Sequence, residues 1–158
     1  MGVAGSGKST VGTLLAEALG VEFGEGDDFH PPANVAKMAS GTPLDDDDRA
    51  PWLDALGRWL AARDTAVLTC SALKHGYRDR LREAAPDLYF VHLAAPREEL
   101  ERRLTSRKGH YMGVAMLDSQ LALLRPLTDD ENGITLDATL PPGELVNQIL
   151  AALPSRVG

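Results

Sequence analysis

The opening of the chain restricts its fold more than any other stretch. Gly2-Val3-Ala4-Gly5-Ser6-Gly7-Lys8-Ser9 fills every fixed position of G-x-x-x-x-G-K-[ST]. Glycines at those spacings let the backbone curl until successive N–H groups point into one concavity, which suits an anion. The helical pattern that begins at Lys8 sets the partial positive end of a helix behind that cup. A lysine so placed reaches the outer phosphates of a polyphosphate, and a hydroxyl at Ser9 is a ligand for Mg²⁺. A glycine-rich turn ahead of a helix is the bland alternative, and it accounts for neither Lys8 nor Ser9. A loop of this kind joins a buried strand to a helix, so an α/β sheet has to be built around it.

The remaining sequence alternates accordingly. Lys8 to Leu19 reads as a helix with Val11, Leu14, Leu15, Ala18 and Leu19 on one face and Gly20 as its stop. Val21 to Phe23 is a short strand, Asp28 to Pro32 a turn and Ala33 to Ala39 a short helix; Pro51 opens a helix running to about Arg63. Thr65 to Cys70 and Leu88 to Leu93 are apolar β-type runs, as expected of strands covered on both faces. Helices over about Tyr77–Ala84, Arg97–Arg107, Val114–Leu124 and Gly143–Leu153, with a strand at Ile134–Leu136, complete the order. This predicts a single domain over residues 1–158, a parallel sheet with helices on both faces. Only Met1 precedes the glycine-rich loop, so the first strand is expected upstream, as a few apolar, β-branched residues.

Composition narrows the function. A chain of 158 residues is one ordinary domain, and its net charge of −7 disfavours a nucleic-acid coat or an anionic membrane surface as partner. The single cysteine, Cys70, excludes an internal disulfide and a Cys-based zinc site and points to a reducing cytoplasm. No apolar run approaches the roughly 20 residues that span a bilayer. The start has neither the charge nor the apolar core of a signal peptide, and Gly2 has a better use than myristoylation. Phosphate cups serve switches, motors and kinases alike. The guanine-specific N-K-x-D and the transporter signature L-S-G-G-Q are both absent, and there is no room for an added effector domain. A small-molecule phosphotransferase remains, with a nucleotide on one side and an acceptor pocket on the other.

Four segments bear on the acceptor. Gly26-Asp27-Asp28-Phe29-His30-Pro31 follows the second strand of such a sheet, where ligand residues collect, and a carboxylate there can hold or deprotonate a hydroxyl; a capping or turn role is the alternative. Asp45 to Asp48 precede a helix, whose N-terminus favours them, and Arg49 behind them is placed to select a carboxylate. Lys74 and Arg78, after the strand ending at Cys70, are candidate clamps on an anionic acceptor, with a solvated helix face as the alternative. Cys70 itself reads as buried filler and His92 as structural. Arg102, Arg103, Arg107, Lys108 and His110 crowd a glycine-containing connection, where a basic flap could close over phosphates; Arg103 and Arg107 are the flap candidates.

Taken together, MGVAGSGKST, GDDFHPPANVAKMASGTPLDDDDRAPWL, CSALKHGYRDRLR, RLTSRKGHYM and SQLALLRPL resemble the gluconate kinases (gluconokinases) of the small P-loop type over nearly the whole chain. The block GD-x-x-HP…KM-x-SG-x-PL…DDR-x-PWL carries most of the specificity, since shikimate and adenylate kinases share the loop and not the block. The resemblance implies an adenylate- or shikimate-kinase-like three-layer fold with a helical lid at about residues 103–115. It further implies Mg²⁺-dependent phosphorylation of D-gluconate by ATP to 6-phospho-D-gluconate, and a homodimer. Gly2, Val3, Ala4, Gly5, Ser6, Gly7, Lys8, Ser9 and Thr10 would then bind ATP, with Ser9 on the metal. Asp27 rather than Asp28 would act on the hydroxyl; His30, Arg49, Lys74 and Arg78 would line the acceptor pocket, and Arg103, Arg107 and His110 would belong to the lid. Lys8, Asp27, Arg103 and Arg107 carry the catalytic expectation. The chain departs from the family in its missing first strand and in Leu124-Arg125-Pro126, where relatives have Leu-Glu-Pro. A kinase of another small hydroxy acid such as shikimate, or a nucleotide-binding regulatory module with no acceptor, is the rival reading.

Overall fold

The computed structural model describes residues 1–106 and 111–154, with the backbone alone for 111–115. Elements run α1 (Lys8–Leu19), β1 (Glu22–Glu25), a 3-10 turn (Gly26–Phe29), α2 (Pro32–Ala39), α3 (Asp46–Ala61), β2 (Ala66–Thr69) and α4 (His75–Ala84). They continue through β3 (Phe90–Ala94), α5 (Arg97–Thr105), α6 (Tyr111–Leu123), β4 (Gly133–Asp137) and α7 (Pro142–Ala152). All the pairing among the described strands is parallel. β1 lies along β2 with Glu22 opposite Ala66 and Glu25 opposite Thr69, and β3 lies along β4 with Phe90 opposite Gly133.

The two pairs meet at the first two residues. Leu93 N–H donates to the Met1 carbonyl at 3.0 Å, and Gly2 N–H donates to the Ser71 carbonyl at 3.2 Å. Met1 and Gly2 therefore lie between β3 and the segment that leaves β2. The single expected sheet is found as two parallel halves flanking the entrance to the glycine-rich loop.

Two apolar clusters cover the strands. Val67, Val91, Leu93, Ile134 and Leu136 pack with Val11 and Leu15 of α1 and Leu145, Val146 and Ile149 of α7. Leu68 and Phe90 pack into the other cluster, with Trp52, Leu53 and Leu56 of α3, Leu81 of α4 and Leu100 and Leu104 of α5. Helices on both faces of parallel strands make the three-layer α/β fold. Leu56, Leu117 and Ile149 are wholly enclosed, and burying such a side chain stabilises by about 1.5–3 kcal/mol.

Helix α1 occupies the expected residues and stops where expected, with Gly20 left-handed (φ 67°) and Val21 N–H returning to the Ala16 carbonyl at 3.0 Å. Helix α3 differs. It starts at Asp46 rather than Pro51, because Asp45 and Asp48 form a reciprocal capping box: Asp48 N–H donates to Asp45 Oδ1 at 2.7 Å and Asp45 N–H to Asp48 Oδ2 at 2.9 Å. Asp46 and Asp47, also in the first turn, favour the same start through the helix dipole. Pro51 is carried inside the helix, at the cost of one backbone hydrogen bond. Helix α4 also starts earlier than its apolar pattern, at His75, with Lys74 as its N-cap residue.

Candidate active site

The glycine-rich loop is a formed cup. Gly5 (φ 83°) and Gly7 (φ 92°) take left-handed backbone that other residues avoid, and Gly7 turns the chain directly into α1. Lys8 arches back over the loop, its Nζ donating to the carbonyls of Gly2 (3.0 Å) and Val3 (3.1 Å). Burial lowers its pKa below that of an ordinary lysine, and the Asp27 charge is the chief influence opposing the shift. Ser6 is buried, and its Oγ has no hydrogen-bond partner among the described residues. An orphaned hydroxyl inside a glycine-rich cup fits a site completed by an anion. Val3 and Ala4 line the loop, Ala4 N–H donates to Gln120 Oε1 of α6 at 2.7 Å, and Ser9 and Thr10 are exposed at the mouth.

Ser9 faces a carboxylate that sequence reasoning passed over. Its Oγ donates to Glu25 Oε2 at 2.6 Å, and Thr69 Oγ1 donates to Glu25 Oε1 at 2.5 Å. Glu25 ends β1 and Thr69 ends β2, so the parallel register itself brings them together beside the loop. A hydroxyl and a carboxylate are the hard oxygen donors that Mg²⁺ takes. Among the described residues no group of three or more His, Cys, Asp and Glu side chains could hold a metal by itself. The position of Glu25, at the carboxyl end of a strand and two residues before Asp27, was the signal available in the sequence.

Gly26 sets the next step of the chain. A Cβ there would fall 2.0 Å from the Thr69 carbonyl oxygen, so only glycine lets β1 end this close to β2. Its N–H donates to Thr69 Oγ1 (3.1 Å) and its carbonyl accepts from Trp52 Nε1 (2.8 Å). Asp27 and Asp28 follow on the exposed 3-10 turn. Asp27 is the one whose charge bears on both Lys8 and His30. His30 stacks on Trp52, with ring centroids 4.3 Å apart and planes at 12°. Burial lowers its pKa, Asp27 opposes that shift and Arg49 adds to it.

The cations expected on the acceptor side are engaged with neighbours. Arg49 is buried, its Nη1 donating to the Leu44 carbonyl (2.6 Å) and to Tyr77 Oη (3.2 Å). Lys74 Nζ is 3.0 Å from Asp46 Oδ1, which raises the lysine's pKa, while the Tyr77 hydroxyl and then Lys74 lower that of Asp46. The aspartate run thus splits into distinct tasks: Asp45 caps, Asp46 holds Tyr77 and Lys74, and Asp48 pairs with Lys37 at 2.5 Å.

Arg78 requires a correction. It is fully enclosed, and its five N–H donors are all taken, by Glu131 Oε2 (2.6 Å), Glu131 Oε1 (3.1 Å) and the carbonyls of Ala72, Leu73 and Pro126. It ties the loop after β2 to the segment before β4 and has no donor left for an acceptor. The sequence reading failed because the partner, Glu131, lies 53 residues away. Burial raises the Glu131 carboxyl pKa, but the Arg78 hydrogen bond, the Thr128 N–H and the Arg78 charge outweigh it, and the pKa ends below the usual carboxylate value. Cys70 is buried, which pushes its thiol up to about 11, and His92 is buried with its pKa lowered to about 4.

Arg103 on α5 reaches the loop. Its Nη1 donates to the Gly5 carbonyl (3.2 Å) and its Nη2 to the Ala138 carbonyl (2.6 Å), while Nε pairs with Glu99 (3.0 Å). Arg107 and His110 lie outside the described residues.

A family model described as an AAA domain matches residues 1–127. A gluconokinase from Gluconobacter oxydans (strain 621H) is 47% identical over 154 residues, covering 95% of this chain and 86% of that relative. This chain belongs to the gluconokinase family. A crystal structure of a gluconokinase from Sinorhizobium meliloti 1021 superposes with a TM-score of 0.86 at 46% identity, covering 96% of this chain and 87% of that one. The shikimate kinase from Aquifex aeolicus vf5 shares the fold alone, with a TM-score of 0.59 at 18% identity over 96% of this chain and 91% of that one. The gluconokinase resemblance read from the motifs therefore stands, and a shikimate-type kinase or a module without an acceptor is not favoured.

Proposed function

We propose that the chain transfers the γ-phosphoryl group of ATP to the terminal hydroxyl of D-gluconate, yielding ADP and 6-phospho-D-gluconate. The observation that carries this reading is the pairing of two ends: a formed phosphate cup closed by Lys8, and Asp27 next along the strand ends, whose charge acts on Lys8 and on His30.

Residues 2–10 hold the phosphates of ATP, through backbone N–H groups other than those of Gly2 and Ala4, which are bonded to Ser71 and Gln120, with Lys8 leaving the Gly2 and Val3 carbonyls for the outer phosphates. Ser9, with Glu25 beside it, would hold Mg²⁺, whose charge offsets that of the outer phosphates. Asp27 accepts the proton of the hydroxyl as its oxygen bonds to the γ-phosphorus and the bond from that phosphorus to the bridging oxygen of ADP breaks. His30, Arg49 and Lys74 meet the polar length of gluconate, a cation being needed for its carboxylate. Arg103, already at the loop, stabilises the transferring group, and Arg107 and His110 join it in a lid over residues 103–115. Among the described residues no helix is long and apolar enough to cross a membrane. From the family resemblance we infer that the chain works in the cytoplasm as a homodimer.

Coupled ADP release, measured with a panel of sugar acids and polyols and with or without Mg²⁺, tests this directly. Gluconate-dependent, Mg²⁺-dependent turnover is expected. Slow ATP hydrolysis indifferent to every acceptor would remove the proposal, and preference for another hydroxy acid would redirect it.

A further inference from the structure

We propose that Asn34 is a positioning residue that holds His30 as the Nε2–H tautomer, so that the ring presents one hydrogen-bond donor to an oxygen of the acceptor. The inference rests on the reading of this end of the molecule as the acceptor pocket, and it deepens that reading.

Asn34 sits in the first turn of α2 and is 4% exposed. Its Nδ2 lies 2.8 Å from the Asp48 carbonyl oxygen and 3.2 Å from His30 Nδ1. The first contact fixes the second. A backbone carbonyl only accepts, so the Asn34 atom facing it must be the NH₂ group; turning the amide would press oxygen against oxygen. The same NH₂ then faces His30 Nδ1, which has to accept and so carries no proton. A neutral imidazole has one N–H, and it is left at Nε2.

The surroundings hold the ring in that state. Trp52, 1% exposed, stacks on the imidazole and is itself anchored by its Nε1–H on the Gly26 carbonyl at 2.8 Å. An imidazolium would set Nδ1–H against the Asn34 NH₂. The charged groups that act on the ring are Asp27 from the 3-10 turn and Arg49 from α3, while the Asp48 carboxylate of α3 and Lys37 of α2 pair with each other. Burial and Arg49 oppose a positive ring, and Asp27 favours one. A donor at His30 complements the acceptor at Asp27. One substrate hydroxyl can donate to the carboxylate while accepting from Nε2–H, which orients its lone pair. Neither the imidazolium nor the other tautomer is compatible with Asn34 as it stands.

The full chain labelled with ¹⁵N-histidine tests the tautomer by two-bond ¹H–¹⁵N correlation between pH 5.5 and 8, without substrate; the His30→Gln variant assigns the resonance among the four histidines. His30 should show a bare Nδ1 and a protonated Nε2. A wild-type spectrum with the proton on Nδ1 overturns the proposal. Asn34→Asp exchanges the donor for an acceptor of the same shape, so the proton should move to Nδ1 and the ring should titrate at higher pH. The KM for gluconate should then rise about tenfold, the scale of a lost hydrogen bond in a partly buried site, with the KM for ATP unchanged. A moved proton with an unchanged gluconate KM overturns the donor role. Should Asn34→Asp fail to fold, His30→Gln, whose amide nitrogen mimics Nε2–H, and His30→Ala replace it: a gluconate KM kept by Gln and lost by Ala supports the donor, and equal losses refute it. The spectrum does not depend on turnover, so absence of gluconokinase activity would count against the proposed function and leave the tautomer assignment standing.

Discussion

The proposed nucleotide end and the proposed acceptor end of this molecule are built on different plans. The first is contiguous: residues 2–9 curl on glycine, and Lys8 occupies carbonyls of its own loop. The second would draw on the turn after β1, α2, the start of α3 and the start of α4, where Lys37 already pairs with Asp48 and Lys74 with Asp46, and Arg49 is held by the Leu44 carbonyl and the Tyr77 hydroxyl. A backbone cup needs little rearrangement to take phosphate, whereas an anionic acceptor held by Lys74 would have to compete with Asp46. Tolerance to substitution should therefore differ between the two ends. Side-chain changes at the acceptor end should retune affinity, while changes at the cup or at the turn that joins the two ends should remove turnover.

The sharpest way to break that contrast is at the junction. Asp27→Asn should lower kcat by about 10²–10⁴-fold, the usual worth of a general base, with ATP binding largely kept, while Asp28→Asn stays close to the parent; equal effects would undo the distinction between them. Lys8→Ala should lower kcat/KM by about 10²–10³-fold, comparable to losing one electrostatic donor to a developing charge, with an unchanged circular dichroism spectrum. Near-normal turnover would refute its role.

Glu131→Ala should act on stability instead. Removing one partner of a buried ion pair costs about 3–5 kcal/mol, read as a fall in denaturation midpoint. The pair also sets an acid limit. The Glu131 carboxyl is held below the ordinary glutamate value of 4.5, so its contribution is full above that pH and is lost as pH falls through the lowered folded value. Glu131→Ala should therefore flatten the loss of stability in that acid window. The smallest effect is expected from Asp46→Asn. Freeing Lys74 from an exposed partner should change the gluconate KM by less than about fivefold, and a larger change would mean that the acceptor end is as preorganised as the cup.

What the sequence discloses follows the same division. The loop, α1 and its Gly20 stop are local patterns, and they were legible to the residue. Asp27, His30 and Lys74 were named from motif and position at strand ends. Glu25, Gln120 and Glu131 escaped because their meaning depends on partners far along the chain: Thr69, Ala4 and Arg78. Arg78 was misjudged for the same reason, since an arginine on a helix looks alike whether its fork meets a ligand or a buried glutamate. The early start of α3 was written in the Asp45/Asp48 spacing, but Pro51 drew the boundary five residues too late.

The cup and Asp27 should serve one and the same reaction. A crystal structure with a non-hydrolysable ATP analogue, Mg²⁺ and gluconate tests this most directly. The terminal hydroxyl of gluconate should lie about 3–3.5 Å from the γ-phosphorus, with Asp27 hydrogen-bonded to it. Gluconate bound away from the γ-phosphate, or seated there with Asp27 turned to solvent, would contradict the account.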